Sequence, residues 1–515
     1  MAGFSVIEDF RIEKNEAFLE KARSLKPKLL YREVEAVRFS YDGVWSEEMQ
    51  GLSSVSLAPG KEVILDMGEH VVGYPSFNLG YFGSHPDAPA YLYVKFAERL
   101  QEFEEETKDY KGWLGKGWIQ EEYVHVDVVP SVAHLSRRFS FRYVLLRVID
   151  TSPKYTLSIQ GASATAVSAV DMSTVSILPY GDKLSAEMDK VGLCTLRDCM
   201  QDVFEDGVKR DRRLWLGDFR LQALTNYVSF KNVDLAKRCL YLFGGLTFNG
   251  GHLVACLFTE PTEEPDDTYL EDFACLYSAA LYDYYTATGD EETLHDLYPV
   301  AIGQLRLSLD ALTEEGVVKN PGEAFSIFMD WGEGLDKQCG GTGALLYCLG
   351  YGMKLAKACG DEENYAYFKE SQEKLREASR RMFWDGEMGL FVSGPDAQVS
   401  WCSQVWMVLG GVVEGEEARQ VLSRIRKDTD ARGIITPYMY HYYIEALLAC
   451  GDKNRAIEEM KNYWGAMVLD GADTYWETFD PKNPDASPYG SLMANSYCHA
   501  WSCTVSYFLR TLFTK

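Results

Sequence analysis

Carboxylates set among tryptophans mark short segments of this chain where proton chemistry on a neutral substrate could take place. The first is Asp206-Gly-Val-Lys-Arg-Asp-Arg-Arg-Leu-Trp-Leu-Gly-Asp218, thirteen positions holding three carboxylates, four basic residues and a Trp. A solvated charged loop, with Asp218 as N-cap of the next helix, would account for such a run. The interleaved Leu214, Trp215, Leu216 and Gly217 argue for burial instead, and buried charges need partners. The second segment is Ala472-Asp-Thr-Tyr-Trp-Glu-Thr-Phe-Asp480, where Glu477 follows Tyr475-Trp476 and precedes Phe479. Rings that stack on the C–H face of a sugar, beside an acid that manages protons, suit a carbohydrate site. An exposed loop acid is the plain alternative. The third, Ser496-Tyr-Cys-His-Ala-Trp501, puts His499 at the opening of the last helical pattern, facing a pocket or hydrogen-bonded in the core.

Cleaving a glycosidic bond takes one protonated acid at the leaving oxygen and one ionised carboxylate acting on the opposite face. Two acid-bearing, Trp-containing loops far apart in sequence could supply that pair. Other chemistries lack their signatures: the chain has no GxSxG, no HExxH, no Walker loop and no GxGxxG between a strand and a helix. Gly340-Gly-Thr-Gly opens a helical pattern, but without the preceding strand and the lysine of a phosphate loop. No His/Cys/Asp cluster has metal-ligand spacing, so neither metal nor cofactor is expected.

These segments must be held by two different architectures. From about residue 30 to 170 the chain alternates in short β-branched and aromatic runs, such as Tyr91-Leu-Tyr-Val-Lys-Phe and Phe139-Ser-Phe-Arg-Tyr-Val-Leu-Leu. Gly, Pro and Asp separate them, the pattern of an antiparallel β-sandwich. The stretch from Glu102 to Gly112 is polar and reads as a loop. After about residue 180 the period becomes helical. Twelve helices are expected, near 184–203, 217–230, 233–245, 267–288, 291–312, 341–359, 362–382, 397–411, 415–426, 434–449, 452–465 and 491–512. Thr288-Gly-Asp, Cys359-Gly-Asp and Cys450-Gly-Asp each read as a C-cap glycine followed by an N-cap aspartate. Twelve helices in consecutive pairs is the count of an (α/α)6 barrel, although an irregular array of helical hairpins would give the same pattern. The expected division is a β-sandwich domain with a leading segment, residues 1–180, and a helical barrel, residues 181–515.

A chain of 515 residues exceeds one ordinary core. Its net charge of −26 repels phosphate backbones and anionic lipid, which speaks against nucleic-acid and membrane partners. Aromatic residues reach 13%, in keeping with either a ring-rich core or a surface that stacks on something flat, sugars included. All 12 cysteines lie between Cys194 and Cys503 without a CxxC pair. They read as buried thiols of a reducing compartment. With no signal-like start and no membrane-length apolar run, cytoplasmic is the expected location.

At these residues the chain resembles the bacterial α-L-rhamnosidases, glycoside hydrolase family 78 of the six-hairpin glycosidases. Asp206, Arg210, Asp211, Trp215, Gly217 and Asp218 match the family's core motif; Thr474, Trp476, Glu477 and His499 match its second. Asp330-Trp331 resembles its mid-barrel Asp-Trp. Leu65-Asp-Met-Gly-Glu-His-Val-Val-Gly-Tyr and Arg138-Phe-Ser-Phe-Arg-Tyr resemble the β-domain that precedes the barrel. The resemblance covers roughly residues 30 to 515 and implies an inverting enzyme that removes terminal α-L-rhamnosyl residues from small glycosides. It implies Asp211 as general acid and Glu477 as general base. Asp206, Arg210, Asp218, Asp330, Trp476 and His499 would contact the sugar, with Trp215 and Trp331 walling the pocket. Most family members carry a Glu two residues after the Arg; here Asp211 follows Arg210 directly. An arginine adjacent to a general acid would lower the acid's pKa, so either burial and the negative charge of Asp206 or Glu477 outweigh Arg210, or Arg210 points elsewhere. Compact two-domain relatives also suggest a homodimer. Another six-hairpin specificity, for a different deoxy-hexoside or a uronide, and a non-catalytic sugar-binding relative are the alternatives.

Overall fold

The computed structural model describes residues 9–322, 326–332, 334–428 and 430–513. A short strand, β1 (Ile12–Lys14), and a helix, α1 (Glu16–Ser24), lead the chain. The β-domain follows as β2 (Leu30–Glu35), β3 (Arg38–Tyr41), β4 (Val44–Trp45), β5 (Glu62–Gly83), β6 (Ala90–Ala97), β7 (Glu121–Val126), β8 (Ser131–His134), β9 (Phe139–Asp150) and β10 (Tyr155–Ser168). Every pairing among β2 to β10 is antiparallel. The organising strand is the 22-residue β5. Its first half pairs with β3 and β9 and its second half with β10 and β8, so it passes between the layers. The change falls where its register with β9 shifts between Asp66 and Val71, at Gly68 with φ +76°. Gly73 is a second necessity: a Cβ there would lie 2.2 Å from the Thr165 carbonyl oxygen of β10. Val63, Leu65, Phe77, Leu92, Phe96, Phe139, Phe141 and Leu146 fill the core of this domain.

Twelve further helices make the second domain: α2 (Lys183–Cys199), α3 (Leu216–Tyr227), α4 (Val233–Gly245), α5 (Glu271–Thr288), α6 (Glu291–Asp310), α7 (Gln338–Ala358), α8 (Glu362–Phe383), α9 (Trp401–Leu409), α10 (Gly415–Ile425), α11 (Pro437–Ala449), α12 (Lys453–Leu469) and α13 (Thr504–Phe513). The three Gly-Asp joints behave as their chemistry dictates. Gly289, Gly360 and Gly451 take positive φ, and Asp290, Asp361 and Asp452 accept the amides of Thr293, Asn364 and Arg455.

The odd-numbered helices from α3 to α13 contact one another in sequence, and the ring closes as α13 and the turn before it (Ala500–Cys503) meet α3 and α11. Their neighbours α2, α4, α6, α8, α10 and α12 lie outside. The inner faces are buried over nearly whole helices, α3 from Leu216 to Asn226 for example. Consecutive hairpins therefore form a closed (α/α)6 barrel rather than an irregular array.

Two expectations shift. The last helix begins at Thr504, not near 491, because the backbone before it is committed across the barrel. Tyr497 N donates to Glu98 and His499 N to the Tyr475 carbonyl, while the Ser496 carbonyl accepts from Glu477 N. The leading segment packs on the barrel rather than on the sheet. β1 pairs with Leu246–Phe248, α1 lies on α4, and Leu19 and Ala22 are buried in the barrel core. No described helix is long and apolar enough to cross a membrane.

Candidate active site

The segments entering α3 and α13, together with those before α7 and α11, meet at one end of the barrel. Before α3 the chain closes on itself: Asp206 N donates to the Arg213 carbonyl, and Arg213 N returns to Asp206 Oδ1 at 3.0 Å each. The loop between them is held in an unusual form, with Asp211 at φ +60° and Arg212 at φ +55°. Left-handed backbone in a non-glycine residue costs about 1–2 kcal/mol, and such strain gathers at functional sites. Asp211 is the least enclosed acid of the group, its side chain 25% exposed. Asp218 does not cap α3; it lies inside the first turn, and the N-cap is Trp215, without a side-chain cap bond.

Arg210 from this loop reaches the second segment. Its Nε donates to the Ala494 carbonyl at 2.9 Å and its Nη2 to Glu477 Oε2, while Nη1 stays 3.7 Å from Asp211 Oδ1. Glu477 receives a second charge-assisted bond, from the Tyr489 hydroxyl to Oε1, and the Tyr489 ring lies 4.0 Å beneath the Arg210 guanidinium. Burial pushes the Glu477 carboxyl above the usual carboxylate range, against Arg210 and Tyr489, which favour its ionised form.

Behind this pair His499 stands between two buried aspartates, with Nε2 3.8 Å from Asp206 and Nδ1 3.7 Å from Asp218. Both gaps are too long for hydrogen bonds. Burial first, then the Arg210 charge, holds the imidazole neutral, well below its ordinary pKa. Burial raises both aspartates well above theirs, and Asp211 adds to this in each case. Asp218 Oδ1, His499 Nδ1 and Trp215 Nε1 are buried without a hydrogen-bond partner. Buried polar atoms are rarely left so, and Asp218 Oδ1 and His499 Nδ1, 3.7 Å apart, are what a hydroxylated ligand would satisfy.

Two of the expected residues are used differently. Asp330 gives its oxygens to the amides of Trp331, Ile435 and Thr436, at 2.8 to 3.0 Å, fixing the start of α11. Burial moves it up to about 6, against those amides. Trp476, beside Glu477 in the sequence, is buried. Its ring packs against Phe479 and Tyr497 and carries the guanidinium of Arg99 from the β-domain at 4.2 Å. Trp331 does reach the site, edge-on to Tyr489 at 6.3 Å.

The sequence reading missed Tyr489, whose only signal is an aromatic between Pro488 and Gly490 in the turn-rich stretch after Glu477. It also missed the support from the β-domain. Lys209, next to Arg210, is buried against Glu102 at 2.7 Å and Glu98 at 3.1 Å. Arg138 pairs with Glu205, and Arg142 with Asp473. Glu102, read as part of a polar loop, is thus buried between the domains.

Among the described residues one group, His70, Asp198 and Cys498, brings three potential metal-ligand atoms within 4.8 Å of one another. Its atoms are otherwise engaged. His70 Nδ1 lies 2.7 Å from Asp198, and Nε2 lies 3.0 Å from Ser140 and 3.2 Å from Glu98. Cys498, Asp198 and Glu98 raise the imidazole well above its ordinary pKa despite its burial, and the group is a hydrogen-bonded link between β5 and α2.

Comparison with known proteins agrees with this architecture. Residues 35–166 match the glycosyl hydrolase family 78 alpha-rhamnosidase N-terminal domain, and residues 181–512 the bacterial alpha-L-rhamnosidase 6 hairpin glycosidase domain. A rhamnosidase from Klebsiella oxytoca, solved with rhamnose bound, is 39% identical with a TM-score of 0.94, covering 97% of this chain and 99% of that one. A GH78 family rhamnosidase of Bacillus sp. GL1 is 22% identical with a TM-score of 0.73, covering 87% of this chain and 46% of its own. The Streptomyces avermitilis alpha-L-rhamnosidase complexed with L-rhamnose is 15% identical with a TM-score of 0.65, covering 94% and 44%. The last two likenesses are of fold. No curated protein sequence matches.

Proposed function

The chain belongs to glycoside hydrolase family 78, the α-L-rhamnosidases, and from that premise we propose that Asp211 and Glu477 are its general acid and general base. The enzyme is a glycoside hydrolase acting on α-L-rhamnosides. The observation that carries the residue roles is the placement of the Arg210 guanidinium between the two carboxylates, donating to Glu477 and standing off Asp211. A general base must be ionised, and the Arg210 and Tyr489 contacts favour that form of Glu477. Arg210 stands 3.7 Å from Asp211, too far for a hydrogen bond.

In this reading a terminal rhamnosyl residue enters with its hydroxyls satisfying Asp218, His499 and Trp215. Asp211 protonates the leaving oxygen, and Glu477 takes a proton from the water that attacks the anomeric carbon from the other face, with inversion. Two carboxylates, Asp211 and Glu477, flank one arginine that Glu477 already engages. That balance suits a neutral deoxy sugar and repels a uronide. Twelve free cysteines support a reducing, cytoplasmic setting, and the family resemblance supports a homodimer, which sedimentation would check.

The test is turnover of nitrophenyl α-L-rhamnoside beside the matching glucuronide. Hydrolysis of the rhamnoside alone is the expected result. Preferred hydrolysis of the uronide, or rhamnose binding without turnover of any rhamnoside, would overturn the reading.

A further inference from the structure

A pocket that takes a terminal sugar has its leaving group on the outside, so whatever lines the mouth chooses the leaving group. Here the mouth is built in part by the β-domain. The segment after β6 is clamped to the barrel loop that carries Tyr489: Glu105 accepts from the Ser491 hydroxyl and from Leu492 N at 3.0 Å. Trp113 Nε1 donates to the Pro488 carbonyl at 3.1 Å. The Trp113 ring lies 5.5 Å from that of Tyr489, whose hydroxyl bonds Glu477. Tyr110 is close enough for the Arg210 charge to bear on its hydroxyl, against the burial that raises it, and that hydroxyl donates to the Leu114 carbonyl at 3.0 Å. Although anchored at both its nitrogen and one neighbouring ring, Trp113 remains 43% exposed.

We infer that Trp113 of the β-domain forms the leaving-group subsite, and that it takes aglycones with a flat, apolar face. The inference rests on the rhamnosidase reading above. A large indole held open at the mouth of a polar pocket offers stacking area to a planar phenol or to the C–H face of a second sugar. The inner pocket has the opposite character, acids and orphaned polar atoms that recognise hydroxyls. Recognition is thereby split between the domains: the barrel reads the rhamnosyl residue and the β-domain reads what is attached to it.

The experiment compares kcat/KM on three substrates, a planar polyphenol rhamnoside, a rhamnosyl-glucose disaccharide and methyl α-L-rhamnoside, for the wild-type chain, Trp113→Ala and Trp113→Phe. Stacking worth ~0.5–1.5 kcal/mol predicts that Trp113→Ala lowers the polyphenol-to-methyl ratio about three- to tenfold, through KM. Trp113→Phe should restore most of the ratio. A parallel fall in the disaccharide-to-methyl ratio extends the subsite to sugar faces, whereas a fall for the polyphenol alone assigns it to aromatic aglycones. Ratios unchanged in Trp113→Ala, or lost equally in Trp113→Phe, would overturn the subsite. Failure of the wild-type chain to hydrolyse any of the three would instead remove the rhamnosidase reading itself.

Discussion

Arg210 and Glu477 are joined through Nη2 and Oε2 while Asp211 stands 3.7 Å from the other terminal nitrogen of the same guanidinium. One cation thus separates two carboxylates and binds them unequally. If these are base and acid, Glu477→Gln and Asp211→Asn should each lower kcat by ~10²–10⁴ with the fold intact. The two should differ on leaving groups. Nitrophenolate departs with little protonation, so Asp211→Asn should be partly spared on nitrophenyl rhamnoside and severely impaired on a disaccharide, and Glu477→Gln impaired on both. Near-normal rates of Asp211→Asn on a disaccharide would assign the acid to another residue.

Tyr489 predicts a pH effect whose sign is fixed. Its hydroxyl donates to Glu477, and burial keeps the phenol protonated well above its ordinary range. Removing that donor in Tyr489→Phe withdraws support from the ionised carboxylate, so the Glu477 pKa rises further. The base must be ionised to work, and the acidic limb of kcat/KM should move to higher pH, by about one unit for a hydrogen bond to a charged group. A limb that stays in place would mean that Glu477 does not set it.

Much of this arrangement is written locally. The Gly-Asp joints fix where outer helices begin, since each depends on one left-handed glycine and one capping carboxylate. Asp206, Asp218 and Glu477 stand out in the sequence because acids beside Trp and Gly mark buried loops, whereas their grouping with His499 rests on the family resemblance. What could not be read depends on contacts between distant segments. Lys209 meets Glu102 across 107 positions, and the acid-rich stretch around Glu102 has the composition of a solvated loop. Trp476 is a substrate-binding candidate from its place in the second motif, and the cation that rests on its ring, Arg99, comes from the other domain. The final helix was read too long because its apolar pattern continues upstream, where the backbone amides bond across the barrel instead.

Glu271, in the first turn of α5, offers a test of stability rather than catalysis. Burial pushes it from 4.5 up to about 7, a tendency that Asp272 reinforces and Ser308 opposes. A carboxyl raised on folding contributes stability that is fully present below its unfolded pKa and lost as pH rises through its folded one. Between pH 4.5 and about 7 the native chain should therefore lose stability on account of this group. Glu271→Gln, which cannot ionise, should match the wild type near pH 4.5 and exceed it at pH 8 by an amount of order 1–3 kcal/mol. Denaturant midpoints at the two pH values provide the check, and an equal offset at both would exclude the titration as its source.

The stereochemical course follows from separation rather than from residue identity. An inverting pair needs carboxyl groups ~6.5–9.5 Å apart to admit a water, whereas a retaining pair needs ~5–5.5 Å so that one can attack the sugar directly. Asp211 comes from the loop before α3, Glu477 from the segment between α12 and α13, and the Arg210 guanidinium occupies the space between them. In the proposed mechanism Glu477, bonded to Arg210 and Tyr489, acts as a base on water rather than closing on the anomeric carbon. Water must then deliver the oxygen, and the first product from an α-rhamnoside should be β-rhamnose. Proton NMR over the first minutes, before mutarotation mixes the anomers, reads this directly. Were α-rhamnose to form first, a covalent intermediate would be required, and the roles given to Asp211 and Glu477 would fail together.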